Sequence, residues 1–325
     1  LNKLMNKDDW ITFSLTKSLI KFAKINKKIV VLDADLADDL GLYQFAQKFP
    51  KRFIQNGIAE QDMVSMAGTL ALTGLLPVVN SFASFMTARA NEQIYNNATE
   101  NTKIIYLNLY SGLLPAGAGK SHQSLRDISA LSSIPNFKIY HPLNFVETSQ
   151  ILKNCIYNEK FSSAIRLNIG PPPKQILKYA KNITFKKGFG YDLIKGKDVL
   201  IFCYGQYIIN EVIAANFILR RKKIECNITN LSSINFFNMN WLKRKIKNFK
   251  YILVIDDHNE VGGLADNLIS KLAVNKLLNN KNIIKLGVKE FPKCGNTNEV
   301  LKYHKLDSKS ISDKIYKLFK NENKN

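Results

Sequence analysis

The sequence has 325 residues, of which 46% are hydrophobic, and a formal net charge of +21 from 47 Lys and Arg against 26 Asp and Glu. This length suits two α/β domains, and no apolar run reaches the roughly 20 residues that a membrane helix needs. The basic residues are spread along the chain, so we interpret the charge as lysine-rich solvated faces and expect neither nucleic-acid nor membrane binding.

The cysteine, histidine and N-terminal patterns argue against further classes. The 4 Cys are far apart without a CxxC pair, and the 4 His form no HExxH pattern, so neither a zinc site nor a disulfide framework is expected. Residues 1–19 mix charged and apolar residues at helical spacing, which is not typical of a signal peptide. We therefore expect a cytoplasmic protein.

Short β-branched runs alternate with longer amphipathic stretches through the first half of the chain. Helical patterns occur in "DMVSMAGTLALTG" and "FMTARANEQIYNNAT". The predicted strands lie, in chain order, in "KIVVLDADL", "LLPVVNSF", "TKIIYLNLY", "FKIYHPLN" and "SSAIRLNIG". This alternation predicts a parallel sheet with helices on both faces, a doubly wound domain over residues 1–175.

The segment "GPPPKQ", residues 170–175, is the clearest break, because consecutive prolines neither continue a helix nor pair in a central strand. We place a linker at 176–190 and a second, smaller domain at 191–325. Its predicted strands lie in "DVLIFCYG", "IECNITNL", "KYILVIDD" and "NIIKLGV". The predicted fold class is therefore α/β, with two doubly wound domains that each contain a largely parallel sheet.

Glu60 is the first candidate functional residue, since it precedes the helical pattern with Gly57 and Ala59 before it. A carboxylate in the first turn of a helix complements the helix dipole, which is a purely structural role. The small neighbours leave room for a flat group to approach the carboxylate, which is a functional role. The sequence pattern leaves both interpretations open.

Phe82 and Phe85 follow the strand pattern in "NSFASFMTAR". Two phenylalanines usually fill a core, but as a pair they can also form an aromatic wall for a planar ring. Arg89, four residues beyond Phe85, is predicted to lie on the same helical face.

The glycine-containing segment 111–131 follows a predicted strand and holds His122 between Ser121 and Gln123. Loops at the carboxyl ends of parallel strands are where α/β proteins build their sites. His122 is therefore a surface residue or a site residue, and the pattern does not choose between them.

Taken in this order, the segments resemble the C-terminal half of the transketolase family of thiamine diphosphate enzymes. The resemblance covers nearly the whole chain, and the glutamate, the aromatic pair and the SHQ loop are specific only together. The matching segments are "DADL", "RFIQNGIAEQDM", "SFASFMTARANEQI", "GKSHQSLRDISALSSIPN", "AIRLN", "DDHNEVGGL" and "LGVKEFPKCGNTNEVLKYHKLD".

This resemblance implies a pyrimidine-binding domain followed by a transketolase C-terminal domain, and it implies roles for individual residues. Glu60 would hydrogen-bond a ring nitrogen of the cofactor's aminopyrimidine, and Phe82 and Phe85 would surround that ring. His122 would contact substrate near the reacting carbonyl and hydroxyl groups, and Arg166 would hold the substrate phosphate. A permanently charged, bidentate guanidinium suits that last task.

The chain departs from the family's pattern at three positions. Ala118 stands where an aspartate reads a substrate hydroxyl, Tyr110 where a histidine contacts phosphate, and Ala88 where a tyrosine lines the pocket. Lys120 is a candidate replacement for the lost anion contact. The identity of the sugar is therefore left open.

The sequence contains no GDG motif, which with a later Asn binds the metal and the diphosphate in this family. The resemblance thus implies the second subunit of a split transketolase, completed by an N-terminal chain that carries this motif. That partner would hold most of the Mg²⁺ or Ca²⁺ contacts, because such cations need oxygen ligands. We expect a heterotetramer with two copies of each chain, and sugar phosphates as substrates.

Other interpretations remain. The chain also resembles 1-deoxyxylulose-5-phosphate synthase and, in its length and glutamate, the beta chains of 2-oxoacid dehydrogenases. The "SFASFMTAR" spacing favours split transketolases over the first, and "DDHNEVGGL" with "KYHKLD" favours transketolase over the second. A non-catalytic assembly protein or nucleic-acid-binding protein with this fold is an alternative of another class, against which the diffuse charge and Glu60 argue.

Overall fold

The computed structural model describes residues 10–179 and 183–322 of the chain. Residues 1–9, 180–182 and 323–325 lie outside the described residues, and they include the outer ends of both predicted domains and part of the predicted linker. The described residues form an α/β protein with one six-stranded and one five-stranded sheet. The predicted fold class is confirmed.

The first sheet is parallel throughout and has the strand order β2-β1-β3-β4-β6-β5. Its strands are β1 (Ile29–Asp33), β2 (Phe53–Gln55), β3 (Leu76–Phe82), β4 (Ile105–Leu109), β5 (Lys138–Tyr140) and β6 (Ser163–Leu167). Four of them, β1, β3, β4 and β6, are buried along their whole length. Side chains therefore enter apolar cores on both faces of the sheet, as in a doubly wound domain.

Helices cover both faces of this sheet. They are α1 (Ile11–Ile25), α2 (Ala37–Leu40), α3 (Tyr43–Lys48), α4 (Glu60–Leu72), α5 (Ala83–Arg89), α6 (Asn91–Thr99), α7 (Asp127–Ser132), α8 (Phe145–Tyr157) and α9 (Lys174–Tyr179). Successive side chains of β3 point to opposite faces of the sheet, and each face is covered by helices. Val78 packs in the core beneath α1, and Val79 packs in the core beneath α4. The carboxyl ends of β3 and β4 lead directly into α5 and the loop before α7, where the candidate residues lie.

The second sheet has the order β11-β10-β8-β9-β7 and is parallel except for β7, which pairs antiparallel with β9. Its strands are β7 (Gly190–Ile194), β8 (Val199–Cys203), β9 (Cys226–Leu231), β10 (Tyr251–Asn259) and β11 (Asn282–Val288). Its helices are α10 (Gln206–Arg220), α11 (Met239–Ile246), α12 (Leu264–Val274), α13 (Thr297–Tyr303) and α14 (Ser308–Glu322).

Every predicted strand is present, and the sequence pattern missed two. The first, β2, has three residues and none of them is buried, so it carries no run of buried β-branched residues. The second, β7, lies at a sheet edge within a half-exposed segment. Helix α9 begins directly after the proline run, and its last residues overlap the start of the predicted linker. The domain limits at 175 and 191 stay a prediction.

The two sheets are joined by backbone and side-chain contacts. The amide of His141 donates to the carbonyl of Ser232 at 2.9 Å, and the amide of Ile234 donates to the carbonyl of Ile139 at 2.9 Å. Next to this bridge, Glu147 accepts a hydrogen bond from the amide of Leu143 at 2.8 Å and a short one from the Ser232 hydroxyl. A segment of the C-terminal domain that contains Ser232 and Ile234 therefore forms hydrogen bonds with β5 and with the residue that follows it.

Glu147 provides a pH-dependent test of this contact. Its carboxyl is fully buried, and burial raises its pKa to about 7, above the value of about 4.3 expected in an unfolded chain. Its contribution to stability is therefore full below about pH 4.3 and is lost as the pH rises through about 7. Gln cannot ionise, so from pH 4 to pH 8 the Glu147→Gln variant should gain about 3 kcal/mol of unfolding free energy relative to wild type.

Urea unfolding at a series of pH values measures this difference. The exposed Glu92→Gln variant is the matched control and should follow wild type at every pH. A difference between Glu147→Gln and wild type that stays constant with pH would contradict the prediction.

Among residues 10–179 and 183–322, no helix is both long enough and apolar enough to cross a membrane.

Candidate active site

Glu60 opens helix α4 and is almost completely buried, with 2% of its surface exposed. The chain reaches it through Gly57, whose φ of 67° lies in the left-handed region that glycine adopts without strain. Glu60 and Asp62 both stand in the first turn of α4, so the helix-dipole role applies to Glu60. That role does not require burial, and Asp62 fulfils it while exposed.

Two side chains hold the Glu60 carboxylate. The hydroxyl of Ser81, at the end of β3, donates to Oε1 at 3.1 Å. Arg89 Nη1, at the end of α5, donates to Oε1 at 3.0 Å and to Oε2 at 2.9 Å. Ser81 was not among the residues predicted from the sequence, although its place beside Phe82 at the carboxyl end of a strand is a signal for a site residue.

Four aromatic rings lie beside this carboxylate, and we call Phe82, Phe85, Tyr110 and His122 the aromatic cluster. The ring centroids of Phe82 and Phe85 are 5.5 Å apart, and that of His122 lies 5.4 Å from Phe82 and 5.2 Å from Phe85. The ring centroid of Tyr110 lies 4.8 Å from that of Phe82, with the rings tilted, and 6.4 Å from that of His122, edge to face. The structure thus brings His122 next to the predicted pair of Phe82 and Phe85, and it places Tyr110, one of the three departures, in the same cluster.

The loop between β4 and α7 positions His122. Its ring nitrogen Nδ1 lies 2.9 Å from the Ser121 hydroxyl, and Lys120 stands exposed beside it. The next residue, Gln123, donates from Nε2 to the carbonyl oxygens of Leu113 and Lys293, each at 3.0 Å. The last of these contacts comes from the C-terminal domain, so both domains shape the loop.

Gly112 marks a close approach in this loop. A Cβ at Gly112 would lie 2.2 Å from the Asp257 carboxylate, and its φ is 94°, so only glycine fits. The following amide, that of Leu113, donates to Asp257 Oδ1 at 2.7 Å. Burial raises the pKa of Asp257 to about 6.

The structure places Arg166 in the interior, whereas Lys120 and Arg89 beside the aromatic cluster are exposed. Its side chain is fully buried, and its guanidinium donates to Asp127 from Nε at 2.7 Å and from Nη2 at 3.2 Å. Its Nη1 lies 3.1 Å from His141 Nδ1. This geometry leaves no exposed guanidinium edge for a substrate phosphate, so the structure does not support the predicted phosphate role, which stays a prediction. A lone Arg near a strand end gives the same sequence signal whether it binds a phosphate or forms a buried ion pair.

We call Asp127, His141, Arg166, Asp257 and His258 the interdomain polar cluster. Burial acts to raise the pKa of Asp127, but the charge and hydrogen bonds of Arg166 outweigh it and lower that pKa below its ordinary value. Burial also lowers the pKa of His258 to about 4, so this ring is neutral at pH 7. The pair of Arg166 and Asp127 is therefore the main ionised contact in the cluster.

Two of the three departures from the family's pattern lie at the surface, whereas the third, Tyr110, is half-buried in the aromatic cluster. Ala118, on the loop, and Ala88, on α5, are both exposed. Across the described ranges, no group of three or more His, Cys, Asp or Glu side chains is arranged to hold a metal ion.

The arrangement suits a planar nitrogen heterocycle. A buried carboxylate offers an acceptor for a ring N–H, and the aromatic cluster offers apolar faces for stacking. An aminopyrimidine therefore fits the residues present. A metal-bound diphosphate needs several oxygen ligands in one place, and no group of three or more acidic, His or Cys side chains offers them in the described part of this chain.

The chain matches two family profiles, the transketolase pyrimidine-binding domain over residues 11–169 and the transketolase C-terminal domain over residues 192–311. It is 30% identical over 311 residues to a Methanocaldococcus jannaschii protein named "Putative transketolase C-terminal section", covering 94% of this chain and 95% of that protein.

Two further comparisons bear on chain organisation. The 1-deoxy-D-xylulose-5-phosphate synthase of Clostridium acetobutylicum is 30% identical over 302 residues, which are 92% of this chain but only 48% of that enzyme. A solved structure described as "Split gene transketolase, inactive beta4 tetramer" has a TM-score of 0.82 and 25% identity, covering 95% of this chain and 97% of the other. The chain thus spans nearly all of some relatives and about half of others.

Proposed function

Because the chain belongs to the transketolase family, we propose that it is the C-terminal subunit of a thiamine diphosphate-dependent transketolase. The enzyme would transfer a two-carbon ketol unit between sugar phosphates. The observation that carries this proposal is the buried Glu60 carboxylate beside the aromatic cluster, a combination that fits the cofactor's aminopyrimidine.

Each residue of the site has a defined task under this proposal. Glu60 holds a proton at the pyrimidine ring nitrogen, and Ser81 fixes the carboxylate for that contact. Phe82 and Phe85 pack against the ring and exclude water. When bound, thiamine diphosphate supplies the carbanion chemistry of ketol transfer, which no protein side chain provides.

The substrate contacts lie on the loop between β4 and α7. His122 packs against Phe82 and Phe85 and would hydrogen-bond a sugar oxygen through its ring. Lys120, exposed on the same loop, is the proposed contact for a substrate phosphate, since a flexible ammonium suits an anion that arrives from solvent. Arg166 has no part in substrate binding under this proposal.

A partner chain would complete the site. The sequence lacks the GDG motif, and the described residues lack a metal-ligand group, so the Mg²⁺ or Ca²⁺ and the diphosphate would be held mainly by an N-terminal subunit. Full-length similarity to a C-terminal section and to a split-gene structure supports this organisation. We propose a heterotetramer with two copies of each chain. A cytoplasmic location stays a prediction from the sequence.

Reconstitution tests the proposal. The chain would be mixed with a GDG-containing partner, thiamine diphosphate and Mg²⁺, and ketol transfer between a panel of ketose and aldose phosphates would be measured. We expect activity in the mixture, none from either chain alone, and its loss when EDTA removes the metal. Activity of this chain alone would contradict the subunit proposal, and an inactive mixture with every sugar would contradict the reaction.

The 30% identity to a 1-deoxy-D-xylulose-5-phosphate synthase supports one second candidate, a subunit of such a synthase. Formation of 1-deoxy-D-xylulose 5-phosphate by the reconstituted pair, without ketol transfer between sugars, would favour it. A chain that binds no cofactor with any partner would instead favour the non-catalytic alternative.

A further inference from the structure

Arg89 covers the carboxylate on which the proposed function depends. Its Nη1 bridges both oxygens of Glu60 at 3.0 and 2.9 Å. The Arg89 side chain is 42% exposed, whereas the Glu60 side chain beneath it is 2% exposed. The guanidinium is therefore the outer cover of the carboxylate.

A second contact fixes this position. The guanidinium carbon of Arg89 lies 3.9 Å from the centroid of the Phe85 ring, which belongs to the aromatic cluster. Stacking on an aromatic face and bridging a carboxylate are the two contacts that an arginine makes best. Both partners of Arg89 are thus residues proposed to surround the aminopyrimidine.

The other neighbours of the carboxylate are less able to move. Ser81 is fully buried in β3, and Phe82 is buried with 7% of its surface exposed. A ring that enters to contact Glu60 must displace a covering group, and Arg89 is the one with a flexible side chain and access to solvent.

We propose that Arg89 competes with the cofactor for Glu60 and thereby sets the affinity for thiamine diphosphate. This inference rests on the proposed function, since it takes Glu60 as the pyrimidine contact. In the cofactor-free protein the guanidinium occupies the two carboxylate oxygens, and it turns toward solvent when the ring binds. The interaction of Arg89 with Glu60 is lost when the ring binds. The free energy of cofactor binding is therefore weakened by the free energy of that interaction.

Replacement of Arg89 by Met tests the competition. Met keeps an unbranched side chain that can pack on Phe85 but removes the charge and the donors. In the complex with the partner chain, we expect the Kd for thiamine diphosphate to fall roughly two- to five-fold, in line with a partly exposed ion pair. Titration by intrinsic fluorescence or calorimetry measures this without ketol transfer.

Two comparisons make the test specific. The exposed Arg221→Met variant, in the C-terminal domain, removes the same charge and should leave the Kd unchanged. In the Glu60→Gln background, Arg89→Met should not increase the affinity for thiamine diphosphate, because the carboxylate for which Arg89 and the cofactor compete is gone. An equal or higher Kd for Arg89→Met in the wild-type background would overturn the competition.

The outcomes separate this inference from the proposed function. Cofactor binding by wild type that is weakened in Glu60→Gln supports the proposed function, whatever Arg89→Met does. Absence of thiamine diphosphate binding by the wild-type complex would overturn both.

Discussion

The Glu60→Gln variant of the reconstituted enzyme is expected to lose about 100- to 10,000-fold of its kcat for ketol transfer, the usual contribution of a positioned proton-transfer group. Gln is nearly isosteric with Glu and accepts a hydrogen bond from Ser81, but it cannot hold a proton at the pyrimidine ring nitrogen. The fold should persist, because Gln keeps nearly the size and shape of the buried Glu60 side chain at the start of α4.

The measurements are steady-state kcat and circular dichroism of the variant. Glu92→Gln is the matched control, since it removes an exposed carboxylate from a neighbouring helix and should keep wild-type activity. A Glu60→Gln enzyme with kcat within a few-fold of wild type would show that the carboxylate has only its helix-dipole role.

Arg166→Met is expected to be the most destabilising change considered for this chain. It leaves Asp127 ionised and fully buried without its partner, which in comparable cases costs about 3 to 5 kcal/mol of unfolding free energy. Since the pKa of Asp127 is lowered by Arg166, the pair contributes stability that is present above the unfolded pKa and lost as the pH falls through the folded value. The cost of Arg166→Met should therefore shrink in acid.

Urea unfolding of the single variant and of Arg166→Met combined with Asp127→Leu checks this reasoning. The double variant removes both charges and should be less destabilised than the single one. The exposed Arg221→Met variant should stay within about 0.5 kcal/mol of wild type. A stable Arg166→Met protein whose KM for phosphorylated sugars alone rises would instead support the phosphate role.

The sequence pattern predicted the fold well because buried strands differ sharply in composition from their surroundings. β8 and the first part of β10 are continuous apolar runs with no exposed position, so their strand character is plain. β2 and β7 lack this signal, since short edge strands are half exposed and are held by pairing with a neighbour.

The site was predictable only in part, because its contacts join distant positions in the chain. Glu60, Phe82 and Phe85 stand out through their motifs, and α/β topology suggests that they meet at one sheet edge. The pairing of Arg89 with Glu60 spans 29 positions and depends on how α4 and α5 pack. The pairing of Arg166 with Asp127 was unpredicted for the same reason, since the two residues lie 39 positions apart in the chain.

The hydrogen bond from Leu113 to Asp257 crosses between the domains and ends in the loop that carries His122. Cys294 Sγ reaches the same loop at the carbonyl of Gly117, 3.4 Å away. The C-terminal domain contributes no ring to the aromatic cluster. Its contacts nevertheless fix the conformation of the loop between β4 and α7. If the proposed function holds, substitutions in β10 or near Cys294 are expected to change the preference among sugar substrates without altering any residue of the aromatic cluster.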